Sequence, residues 1–64
     1  MPLGDAVAYY NLGYPYHLQE RLSEAIGLYK QALDIDADFV IAQDKLQEAE
    51  RLLTSRSGST STSE

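Results

Sequence analysis

Tyr9, Leu12, Gly13 and Tyr16 recur at intervals of three and four. After a polar interruption, Ala25, Leu28, Tyr29, Ala32 and Leu33 repeat that spacing. Side chains spaced in this way share one face of an α-helix, so residues 5–36 read as two amphipathic helices joined by a short turn. Gly13, Ala25 and Ala32 sit inside the stripes, where small side chains let two helix axes come close, as in an antiparallel hairpin. A third pattern, Phe39, Ala42, Leu46, Ala49 and Leu53, predicts another helix. The expected fold is all-α, with helices over about residues 6–18, 23–35 and 39–53, preceded by a short lead, residues 1–4. After Leu53 no apolar residue occurs, so nothing offsets the entropy of ordering, and residues 54–64 are expected to form a disordered Ser/Thr-rich tail.

Local signals refine these boundaries. Asp5 suits an N-cap, because its carboxylate accepts free first-turn amides and complements the helix dipole, placing the first helical residue at Ala6. Pro15 lies within the first helix. It cannot donate to the carbonyl of Asn11, and an interior proline costs about 3 kcal/mol. Either the helix bends around it, or the helix ends near Tyr14 and Pro15 opens a new one that fuses with the next, so that the hairpin closes only by swapping with a second chain. The turn is expected near Gln19 to Leu22, with Ser23 as the N-cap of the second helix and Glu24 in its first turn. Asp34, Asp36 and Asp38 alternate with Ile35 and Ala37. Calcium loops use clustered carboxylates, but the following glycine and the distant bidentate glutamate are absent here, so Asp36 or Asp38 reads as a cap for the third helix.

The hairpin resembles a tetratricopeptide repeat. That family's pattern of an aromatic, Leu-Gly, Tyr, Ala, an aromatic and Ala is met in register by Tyr9, Leu12-Gly13, Tyr16, Ala25, Tyr29 and Ala32, while Ala37 replaces the closing proline. The family often has glycine in the turn; here Glu20 is offered, at about 1–2 kcal/mol if a left-handed backbone is kept. Gln47 and Glu50 depart from the pattern in the third helix, which is similar to the polar helix that caps such arrays. The resemblance implies a protein-interaction module whose inner groove binds peptides. Carried onto this chain, the groove residues are Val7, Tyr10, Asn11, Tyr14 and His17 on the first helix and Asp44, Lys45, Glu48 and Arg51 on the third. Asn11 and Lys45 match parts of a carboxylate clamp found in some relatives, but Val7 and Tyr10 supply no basic charge.

The 64 residues allow one small domain, and the lack of cysteine removes disulfides and thiolate metal sites as supports. Ten acidic against five basic side chains give a net charge of −5, which disfavours nucleic acid and anionic membranes. Nothing resembles a membrane span or signal peptide, so a cytoplasmic protein is expected. His17 is the single histidine, and with no cysteine a nucleophile–base pair is not assembled, so neither enzyme activity nor a cofactor is expected. Val7, Tyr10, Tyr14 and Leu18 form a stripe with no predicted partner in the chain. Tyrosine is enriched at interfaces, so this stripe is the expected docking surface for another protein or peptide, in the first instance a second copy. A regulatory or scaffold fragment of a larger protein is the alternative.

Overall fold

The computed structural model describes residues 3–62, with side-chain surroundings for residues 4–56. Three helices follow one another: α1 (Leu3–Leu18), α2 (Leu22–Ile35) and α3 (Val40–Thr62). Both α1 and α3 pack chiefly on α2, which forms the spine. Around it lie two adjoining apolar clusters. Leu22, Ala25, Tyr29 and Ala49 form one, and Ala6, Ala32 and Ala42 the other, with Tyr10 packed against both.

Alanine and glycine dominate these contacts for a geometric reason. Gly13 is buried, and a Cβ placed there would lie 3.1 Å from the Leu28 Cβ and 3.1 Å from the Tyr29 ring. The absence of a side chain at Gly13 is therefore what admits the Tyr29 ring between α1 and α2.

Helix α1 begins at Leu3, earlier than the expected Ala6, so Asp5 is not an N-cap. It lies within the first turn, where its charge still complements the dipole. The helix runs unbroken through Pro15 to Leu18, which selects the continuous helix over the break and fusion. Asn11 and Pro15 are both exposed, so solvent is at hand where the helical hydrogen bond is lost.

The α1–α2 turn is a Schellman motif. The amide of Arg21 donates to the Tyr16 carbonyl at 2.8 Å and that of Glu20 to the His17 carbonyl at 3.0 Å. Glu20 has φ 63°, keeping the left-handed backbone usually given to glycine. The Arg21 guanidinium lies 5.1 Å from the centre of the Tyr16 ring, filling the place of the apolar contact that commonly closes this motif. Arg21 then serves directly as the N-cap position of α2, without a side-chain cap, and pairs with Glu24 at 3.0 Å. The expected cap, Ser23, is already inside the helix, because the tight turn leaves no residue to spare.

Between α2 and α3, Asp36 Oδ1 accepts the Asp38 amide at 3.2 Å, and the Phe39 amide donates to the Asp36 carbonyl at 3.1 Å. Asp36 thus shapes the connecting turn, in place of the expected role of capping α3. Gln43 Nε2 donates to the Ala37 carbonyl at 2.6 Å and ties the turn to the first helical residues of α3.

Helix α3 passes its expected end at Leu53 and continues to Thr62; Ser63 and Glu64 lie outside the described residues. Extending an existing helix needs no new nucleus, and the segment contains no proline to stop it. Arg56 Nη1 also donates to the Glu20 carbonyl at 3.0 Å, fastening this extension to the α1–α2 turn.

Replacing Glu20 with glycine keeps every backbone bond of the turn and removes the left-handed penalty. Glu20→Gly is expected to stabilise the fold by about 1 kcal/mol, read as a higher midpoint in thermal melts followed by circular dichroism. The other glycines give an opposed pair. Gly27 is exposed and has nothing within 4 Å of an added Cβ. Gly27→Ala is expected to stabilise by about 1 kcal/mol, whereas Gly13→Ala, pressed against a Cβ and a buried ring, is expected to destabilise by a similar net amount.

Candidate functional site

Tyr10 and Tyr14 stand one turn apart on α1, with ring centres 6.0 Å apart and planes 23° from parallel. Tyr10 also stacks on Tyr29 at 5.6 Å and meets Phe39 at 5.6 Å. It is half-buried, covered by side chains of its own chain, so the expectation that it lacks an intrachain partner is corrected. Tyr14 keeps more exposure, 36 %, and carries the Lys45 ammonium of α3 at 5.6 Å from its ring centre. Lys45 in turn pairs with Glu48 at 3.6 Å. These contacts join the facing sides of α1 and α3 across a shallow groove backed by α2.

His17 does not line this groove as expected; it lies beneath it. The side chain is buried, and Nδ1 is 3.0 Å from the hydroxyl of the fully buried Tyr29. In one imidazole tautomer the phenol donates to a bare Nδ1, and in the other it accepts from Nδ1–H, so the bond is made in either. Its ring meets Tyr14 edge-on at 6.3 Å and Tyr29 at 5.9 Å. The aromatic groups therefore form one connected stack, from exposed Tyr14 down to the His17–Tyr29 pair. Burial pushes the Tyr29 phenol up to about 12, and the neighbouring Tyr10 and Tyr14 phenols and the Glu48 carboxylate add repulsion against a phenolate.

Of the other expected groove residues, Val7, Asn11 and Leu18 are exposed on the same side of α1 as Tyr14. Asp44 and Arg51 are exposed as well but share a stripe roughly 100° round α3 from Lys45. Arg51 belongs to a polar flank with Gln47, Glu50, Thr54 and Ser55.

Ile41 and Leu52 escaped the sequence reading. They lie on the Lys45 side of α3 and are 54 % and 43 % exposed. Their spacing from Lys45, four residues before and seven after, carried the signal; the strong alanine and leucine stripe beside them drew it away.

Among the described residues, no helix is long and apolar enough to cross a membrane. A sequence model of the tetratricopeptide repeat matches residues 8–38. No curated protein and no solved structure matches the chain.

The raised Tyr29 value fixes a pH window with a definite sign. The unfolded phenol loses its proton near 10 and the folded one near 12, so unfolding releases a proton between those values. Stability is therefore unaffected by this group below pH 10 and falls as pH rises towards 12, by at most about 1.4 kcal/mol per pH unit. Urea titrations across that range are expected to show the fall in the native protein and to lose this contribution in Tyr29→Phe.

Proposed function

Residues 8–38 match a tetratricopeptide repeat, and from that premise we propose that the chain is a noncatalytic protein-interaction module that docks another polypeptide on the open face of α1 and α3. One observation carries this reading. Of the large apolar side chains left exposed, Val7, Tyr14, Leu18, Ile41 and Leu52 fall on the facing sides of these two helices, at 43, 36, 66, 54 and 43 % exposure.

The face is pre-organised as well as apolar. Tyr14 is held between the Tyr10 ring and the Lys45 ammonium, so little side-chain freedom remains to be lost when a partner covers it. Lys45 and Glu48 place a paired charge beside the apolar rings, supplying the polar edge typical of a recognition surface.

Within this reading, self-association is the form the surface favours. Apposing two such faces buries the rings and aliphatic side chains of both copies in one contact, which is the isologous arrangement of a two-fold dimer.

Light scattering over a range of concentrations tests it. Association and a melting temperature that rises with concentration are expected. Tyr14→Asp or Ile41→Asp is expected to shift the population to monomer while the helical circular dichroism signal is kept. A strict monomer with a melt independent of concentration would overturn self-association through this face.

A further inference from the structure

Tyr29 and His17 form a pair whose chemistry docking on the groove does not use. Tyr29 is fully buried, and among the described residues its hydroxyl bonds only Nδ1 of His17, at 3.0 Å. No buried side-chain nitrogen or oxygen there lacks a partner, so the other imidazole nitrogen, Nε2, which bonds no protein group, reaches water. These facts choose the tautomer. With hydrogen on Nε2, water satisfies it and the bare Nδ1 accepts the phenol hydrogen; with hydrogen on Nδ1, the buried phenol hydrogen has no acceptor. Tyr29 is therefore the donor, and its proton points at a base.

A phenol that loses an electron but keeps its proton carries a full charge, which an apolar core does not tolerate. Losing the proton first is closed near neutral pH, because burial pushes the Tyr29 phenol up to about 12. Nδ1 opens the remaining route, in which electron and proton leave together and the charge ends on an imidazole whose far nitrogen touches water. A path for the electron is present too. Tyr14, exposed at 36 %, stacks on Tyr10 at 6.0 Å, and Tyr10 stacks on Tyr29 at 5.6 Å, so the rings run from the surface to the buried pair.

We propose that the Tyr29–His17 pair is a redox site, reversibly oxidised by one electron by a radical oxidant that meets the chain at Tyr14. The oxidant takes an electron from Tyr14, whose phenol proton passes to water. Tyr29 then reduces Tyr14 through Tyr10, and Tyr14 recovers a proton from water. In that same step the Tyr29 O–H bond breaks and an N–H bond forms at Nδ1 of His17, leaving a neutral tyrosyl radical beside an imidazolium. Reduction returns the electron to Tyr29 and the proton to its oxygen. A radical enclosed in this way does not meet a second one, so it outlives a radical on exposed Tyr14. The proposal is independent of self-association through the groove.

Pulse radiolysis of the full chain with the azidyl radical as oxidant, followed by tyrosyl absorbance, tests it. Decay at a rate independent of protein concentration is expected, because radicals of two copies are kept apart. His17→Phe and Tyr29→Phe are each expected to shorten the lifetime at least about tenfold, the worth of one charge-assisted hydrogen bond expressed as a rate. Tyr14→Phe is expected to slow the appearance of the long-lived radical and to leave its decay unchanged. The native protein also answers without any variant: electron–nuclear double resonance on frozen samples is expected to show one exchangeable proton in a single ordered hydrogen bond to the radical oxygen. Concentration-dependent decay that ends in dityrosine, a lifetime unchanged in His17→Phe or Tyr29→Phe, or a radical oxygen with only a spread of solvent protons overturns the proposal. An unchanged rate of appearance in Tyr14→Phe overturns the entry at Tyr14.

Discussion

Everything in this fold is arranged around the ring of Tyr29. It is fully buried on the spine helix, takes the space left by Gly13 of α1, shares a cluster with Ala49 of α3, stacks on Tyr10 and hydrogen-bonds His17. A large aromatic at the meeting point of three helices supplies apolar area that alanines cannot, and its hydroxyl finds the partner that burial demands. Among the described residues no buried side-chain nitrogen or oxygen lacks a hydrogen bond. Among the described residues His17 and Tyr29 are the one buried side-chain pair joined by a hydrogen bond, and this pair fixes the register of α1 against α2, where purely apolar contacts would tolerate sliding.

Holding α1 from beneath has an effect at the surface. His17 and Tyr10 both rest on Tyr29, and Tyr14 rests on both of them, so the exposed ring is positioned by buried ones. The extension of α3 works from the other end, where Arg56 reaches the Glu20 carbonyl and holds the turn that sets how α1 leaves α2. The contacts that hold the core together are therefore also the ones that position the exposed ring of Tyr14.

The hairpin was plain in the sequence because its stripes are long, periodic and in register with a known repeat. The second helix ends at Ile35 as the pattern predicts. Boundaries differ where side-chain type does not report the backbone: the start of α1 at Leu3 in place of Ala6, the Schellman turn that made Arg21 the cap position in place of Ser23, and the run of α3 beyond Leu53. His17 was misplaced because a histidine beside an exposed stripe looks solvated until its buried phenol partner, twelve residues on, is known. Leu12, 56 % exposed, erred in the other direction, since membership of a packing stripe does not show that a neighbour covers every position of it.

The two flanks of the molecule differ in how they meet water. On α3 the outward flank presents Gln47, Glu50, Arg51, Thr54 and Ser55, a well-hydrated surface, while the flank of α1 presents Ala8, Tyr9 and Leu12. The two flanks therefore differ in what it costs to dry them: covering the α1 flank removes water from aromatic and aliphatic carbon, whereas covering the α3 flank strips hydrogen-bonded water from amide, carboxylate, guanidinium and hydroxyl groups.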